Sequence, residues 1–215
     1  MKDLNSFFPA DFEQMDKYYR THFFNSLTGF KSLTLVGTQN EKAHTNLAVF
    51  SQVIHLGADP AMIGILVRPA SVPRHTLENI NKNGFFTLNH VKESFAKKAH
   101  QTSARYAEDI SEFDAVGLTP FYSENIKAPY VKEADIRIGL KAVEQLLIQS
   151  NKTILIAGEI IEVMLPQEIV KSDGFIDLNE AGSLTVSGLD AYLSTSKIAR
   201  FSYAKPEKPL EKLDY

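Results

Sequence analysis

Between residues 31 and 91 the hydrophobic pattern is that of β-strands. "KSLTLVGT" (31–38) alternates apolar and polar positions, and "TNLAVFSQVIHLG" (45–57) is rich in β-branched and aromatic residues. "AMIGILV" (61–67) is a continuous apolar run, and "GFFTLNHV" (84–91) follows a short helical stretch at 77–83. Gly, Pro, Asn or Asp bounds each run, which predicts four strands, with a hairpin loop at 39–44 and a turn at 57–60. Ahead of them, Phe12, Met15, Tyr19 and Phe23 recur at helical spacing behind Pro9 and Asp11. That spacing predicts one amphipathic N-terminal helix over 10–25, packed on the body.

The second half mixes periods. Good helix formers fill 93–107, and "SEFDAVGLTP" (111–120) reads as a short helix stopped by Gly117. Residues 124–134 read as an extended loop around Pro129. "DIRIGLKAVEQLLIQS" (135–150) alternates at its start and has helical propensity at its end, so strand and helix stay open there. "TILIAGEIIEVML" (153–165) is a strand, and the C-terminal part alternates short β-like pieces with polar turns before a charged, Pro-interrupted arm. Many strands with few helices between them predict an all-β barrel with helical insertions.

Composition narrows the chemistry. The 215 residues include no Cys, which removes disulfides, thiolate metal sites and thiol nucleophiles and suits a reducing cytoplasm. A net charge of −3 disfavours a nucleic-acid partner. No apolar run approaches the roughly 18 residues of a membrane span, and the N-terminus does not read as a signal peptide. There is no GxG, Walker A, HExxH or GxSxG pattern, so an enzyme here would borrow its hard chemistry from a cofactor.

Two segments carry candidate binding chemistry. In "RHTLENI", Arg74, His75 and Thr76 precede a helix ended by Gly84; Thr76 is either a plain N-cap or part of an anion site with Arg74. In "TNLAVFSQV", strand alternation puts Asn46, Ala48 and Phe50 on one face and Leu47, Val49 and Ser51 on the other. A flat heteroaromatic ligand could lie along such a strand, though the residues by themselves favour a barrel strand with ordinary polar ends.

The order of "TNLAVFSQVIHLGADPAMIGILV", "RHTLENINKNGFFTLNHV", "SEFDAVGLTP", "KAPYVKEADI" and "ILIAGEIIEV" resembles the flavin reductase-like family of FMN-binding split barrels, over about residues 28–203. The resemblance implies a mainly β fold, a six-stranded antiparallel split barrel with Greek-key connections, helical insertions and an N-terminal helix. It divides the chain into a helical extension (1–27), the barrel domain (28–205) and a charged tail (206–215), and it makes 135–149 a long strand. It implies a cytoplasmic homodimer with FMN near the subunit interface and hydride transfer from NADH or NADPH to flavin. The alternatives are an FMN-binding electron carrier, a structural flavoprotein, or another oxidase on the same barrel. Carried onto this sequence, Asn46, Leu47, Ala48, Val49, Phe50, Ser51 and Gln52 line the flavin, largely through backbone groups. Arg74 and Thr76 hold the phosphate, His75 stands where an acidic residue is usual, and Asn89 lies on the strand beside the flavin. Tyr192 and Arg200 are weaker candidates for reaching a neighbouring subunit's flavin. No catalytic side chain and no metal are implied, and the electron acceptor, a small molecule or a partner oxygenase, stays open.

Overall fold

The computed structural model describes residues 4–69, 74–107 and 109–213. The N-terminal helical run is two helices, α1 (Pro9–Gln14) and α2 (Lys17–Leu27). The break falls at Met15–Asp16, because the Asp16 carboxylate turns back to accept the Tyr18 and Tyr19 N–H groups and so starts a new helix. Neither helix has a buried residue; Phe12 of α1 contacts Phe24 of α2, Phe7 ahead of α1 contacts Phe23, and α2 meets the body where Lys31 Nζ donates to the Asn25 and Gly188 carbonyls.

The strands are β1 (Lys31–Ser32), β2 (Thr34–Gln39), β3 (Thr45–Phe50), β4 (Val53–Ala58) and β5 (Ala61–Val67). Helix α3 (His75–Asn83) leads to β6 (Phe85–His90), and a 3-10 turn leads to α4 (Ala96–Gln101) and α5 (Glu112–Val116). Then come β7 (Pro120–Phe121), β8 (Tyr130–Val131), β9 (Arg137–Leu147) and β10 (Ile154–Met164), and the short β11 (Thr185–Ser187) and β12 (Ala191–Leu193). In the C-terminal arm β13 (Arg200–Phe201) pairs with β14 (Lys212–Leu213), which folds the tail back on itself. Only the first part of the 93–107 stretch is helical.

The main sheet has seven antiparallel strands in the order β3-β2-β6-β9-β10-β5-β4. The expected count was six. It becomes seven because the run 45–57 is broken at Ser51–Gln52, and its halves lie on opposite edges of the sheet. Two residues cannot span a flat seven-stranded sheet, whose strands are about 4.8 Å apart, so the sheet must curl until its edges approach. The fold is therefore mainly β and split-barrel-like, with helices added.

The ambiguous stretch 135–150 is strand. Ladders to β6 on one side and β10 on the other outweigh the helical propensity of "KAVEQLL". Inside the curl, Val36, Ile65, Phe86, Leu88, Leu140 and Ile156 pack together, and α3 plugs one end with Leu77 and Ile80. On the outer face of β2 and β3, Leu35 and Leu47 pack against Phe95, Phe113 and Leu118. β3 is thus sandwiched, and the two faces read from its alternation are the two faces found. Gly37 on β2 is a close-approach position: a Cβ there would lie 2.1 Å from the Pro129 carbonyl oxygen.

Candidate flavin site

The two candidate segments meet. Buried Asn46 on β3 donates from Nδ2 to Thr76 Oγ1 (3.0 Å) at the start of α3 and to Thr38 Oγ1 (3.2 Å) on β2. Asn79 of α3 donates to the same Thr38 oxygen (3.1 Å). This buried polar set, Thr38, Asn46, Thr76 and Asn79, registers the first turn of α3 on the edge of the sheet. Asn46 therefore spends both side-chain hydrogens on the scaffold.

Helix α3 begins two residues earlier than its pattern suggested, and this changes the role of Thr76. Arg74 is the N-cap residue and offers no side-chain cap, so Thr76 lies inside the first turn, which rules out the plain-cap alternative. The first intrahelical bond is Glu78 N–H to Arg74 C=O, and the Arg74 N–H goes to Glu78 Oε1. The amides of His75, Thr76 and Leu77 therefore point out of the helix end, and among the described residues no side chain caps them. Thr76 Oγ1 accepts from Asn46, which leaves its own proton to donate.

Arg74 stands at this helix end. Its Nε donates to the Pro69 carbonyl (3.3 Å), and its terminal nitrogens have no hydrogen-bond partner among the described residues. Partial burial, then the nearby charges of Arg68 and Arg105, pull its pKa down. An anion at this helix end would ease the repulsion among these cations. Residues 71–73, the start of the "SVPRHT" stretch, lie outside the described residues.

β3 is an edge strand, so alternate backbone groups face away from β2. The Leu47 N–H is one of these, and it is already taken by the carboxylate of buried Glu112 (Oε2, 2.9 Å), the first residue of α5. By the same alternation Val49 faces outward, while Asn46, Ala48 and Phe50 face β2. Within β3 the backbone edge open to a ligand is thus that of Val49, and Ser51 follows directly after the strand. Ser51 is half-buried, and its hydroxyl bonds no protein group among the described residues. The Gln52 carbonyl accepts the Leu66 N–H (3.0 Å).

Asn89 lies two strands away from β3 and is fully buried. Its Nδ2 donates to Leu35 C=O and Thr87 Oγ1, and its Oδ1 accepts the Val131 N–H, so its side chain ties the core. Tyr192 and Arg200 are engaged within the chain, Tyr192 with His100 and Arg200 with Asp173.

Glu112 is the site residue that local pattern could not reveal. An acidic residue opening a helix reads as a response to the helix dipole. Burial pushes its pKa up, while the Leu47 N–H, its own N–H and the charge of nearby His75 pull the other way. No group of three or more His, Cys, Asp or Glu among the described residues could hold a metal.

An uncapped helix end with an adjacent arginine fits a phosphate, and an open strand edge beside it fits a heteroaromatic ring. These groups form a candidate flavin site on a split-barrel-like fold. Comparison with known proteins agrees on the family. Residues 31–180 match the model of the flavin reductase like domain, and the chain belongs to that family. A structure from Shewanella frigidimarina NCIMB 400, assigned as a flavin reductase with split barrel domain, is 46% identical, with a TM-score of 0.90 over 93% of this chain and 100% of that one. Nitrilotriacetate monooxygenase component B from Bacillus cereus shares the fold at 20% identity, with a TM-score of 0.79 over 92% of this chain and 98% of that one. An uncharacterized protein from Aquifex aeolicus is 30% identical over 108 residues, which is 49% of this chain and 55% of that protein.

Proposed function

We propose that this protein is an NAD(P)H-dependent flavin reductase that holds FMN against the open edge of β3, with the phosphate at the start of α3. The observation that carries the reading is the Asn46–Thr76 bond, which couples a ring-reading strand edge to an uncapped helix end flanked by Arg74. When bound, FMN would supply the two-electron chemistry for hydride from NADH or NADPH. The chain's own part is to bind and orient: Arg74 and the amides of His75, Thr76 and Leu77 take the phosphate, and Val49 and Ser51 read the ring edge. No acid–base side chain is required for hydride transfer, and none is assigned. His75 adds a donor beside the phosphate.

A cytoplasmic homodimer belongs to the same reading. Along β9 and β10, Val143, Leu146, Leu147, Ile161 and Val163 are about half exposed, apolar side chains that a second copy of the chain would cover. No helix among the described residues is long and apolar enough to cross a membrane. The kinship with a monooxygenase component supports a partner oxygenase as one outlet for reduced flavin.

The test is a visible spectrum of the purified protein after FMN addition and desalting, followed by anaerobic titration with NADH and with NADPH. The reading expects a retained flavin spectrum that one or both nucleotides bleach. A flavin that binds but is reduced by neither nucleotide would make the protein a carrier. A chain that binds no flavin would end the reading.

A further inference from the structure

Glu112 sits where a carboxylate is costly. It is 7% exposed, on a five-residue helix that packs against β3, and it makes no ion pair among the described residues. A buried carboxylate is retained only where it meets a specific need. Here its Oε2 accepts the Leu47 N–H at 2.9 Å, and next to it the Ser111 and Thr45 hydroxyls are 2.6 Å apart. The start of α5 thus grips two successive outward positions, Thr45 and Leu47, of an edge strand whose remaining outward position is Val49, with Ser51 just past its end. His75, at the first position of α3, lies close enough for its charge to act on the same carboxylate.

We infer that Glu112 is a positioning residue for the flavin: by holding the Leu47 N–H it closes one end of the β3 edge and fixes Val49 and Ser51 in register with the helix end. Without this grip an edge strand is free to twist or slip, and the ring-reading groups lose their fixed distance from the phosphate groups. The inference rests on the flavin reading above and goes beyond it, because it assigns Glu112 a role that acts through the strand it holds.

The experiment compares wild type with Glu112→Ala, Glu112→Gln and Glu112→Asp in binding lumiflavin (the ring alone), riboflavin and FMN. Glutamine keeps an acceptor oxygen at the same reach, whereas aspartate is one methylene short. Glu112→Ala and Glu112→Asp are expected to weaken all three ligands by roughly tenfold, the consequence of losing one buried hydrogen bond behind the ring site. Glu112→Gln is expected to bind like wild type. If Glu112→Ala fails to fold, the Gln and Asp variants carry the same contrast. Variants that fold and bind lumiflavin as wild type does would overturn the inference, as would a Gln variant no better than Asp. Wild type that binds none of the three ligands would instead overturn the flavin reading itself.

Discussion

Replacing Asn46 tests the joint between strand and helix. In Asn46→Ala, two buried hydrogen bonds disappear, to Thr76 Oγ1 at 3.0 Å and to Thr38 Oγ1 at 3.2 Å. Each neutral bond is worth about 1 kcal/mol net. Thr38 keeps its bond from Asn79, so the hydroxyl left with fewer partners is that of Thr76. A loss of about 2 kcal/mol follows, which for a chain of this size is a fall in Tm of roughly 4–8 °C. Asn46→Leu separates hydrogen bonding from volume, since leucine fills the space and donates nothing. Urea unfolding of both variants, with FMN and riboflavin titrations alongside, gives the two readouts. Both variants are expected to lose stability, and both to lose more affinity for FMN than for riboflavin, because the loosened group is the first turn of α3. A leucine variant as stable as wild type would refute the hydrogen-bond account. Equal losses for the two ligands would refute the claim that Asn46 serves the phosphate end.

Other perturbations reach different parts of the molecule. Arg74→Ala should weaken FMN by about 1–3 kcal/mol, the range for a charge-assisted contact, and leave riboflavin nearly unchanged in the same titration. Gly37→Ala would drive a methyl group to 2.1 Å from the Pro129 oxygen and 2.6 Å from Thr87 Oγ1, so it should cost at least about 1–3 kcal/mol in urea unfolding. Burial lowers the His90 pKa from 6.5 to about 4, so the unfolded chain binds the extra proton first as pH falls. The stability due to neutral His90 is present above pH 6.5 and is lost between there and about pH 4, amounting to about 3 kcal/mol. His90→Gln should flatten that part of the stability–pH profile measured by denaturant midpoints.

Much of the fold was legible because strand signals are local. The apolar run 61–67 is β5 from end to end, and Gly84 and Gly117 end their helices in the left-handed conformation that glycine adopts without strain. The resemblance of five ordered segments made 135–149 a strand, where composition alone left it open. The break at Ser51–Gln52 was not legible. Nothing in "VFSQVI" says that its halves belong to opposite edges of one sheet, since that depends on which strands each half pairs with. The single N-terminal helix became two for a local reason, the Asp16 cap, which an apolar period cannot register.

The candidate site divides in the same way. The sequence by itself determined the chemical groups: a cation, an imidazole and a hydroxyl before a helix, and a strand with polar residues among apolar ones. Tertiary structure alone decided which of them act together. Thr76 could be a cap or a site residue until the helix start was seen to lie at His75, because a cap is defined by backbone angles that side-chain type only biases. Asn46 and Thr76 are thirty positions apart and became partners only when α3 docked on β3. Asn89, chosen for its place on a strand, is consumed by three core bonds that depend on β2 and the segment at Val131. Glu112 is the plainest case: its carboxylate is an ordinary helix-start residue in sequence, and the buried amide it serves is 65 positions away on an edge that exists only once the sheet has formed.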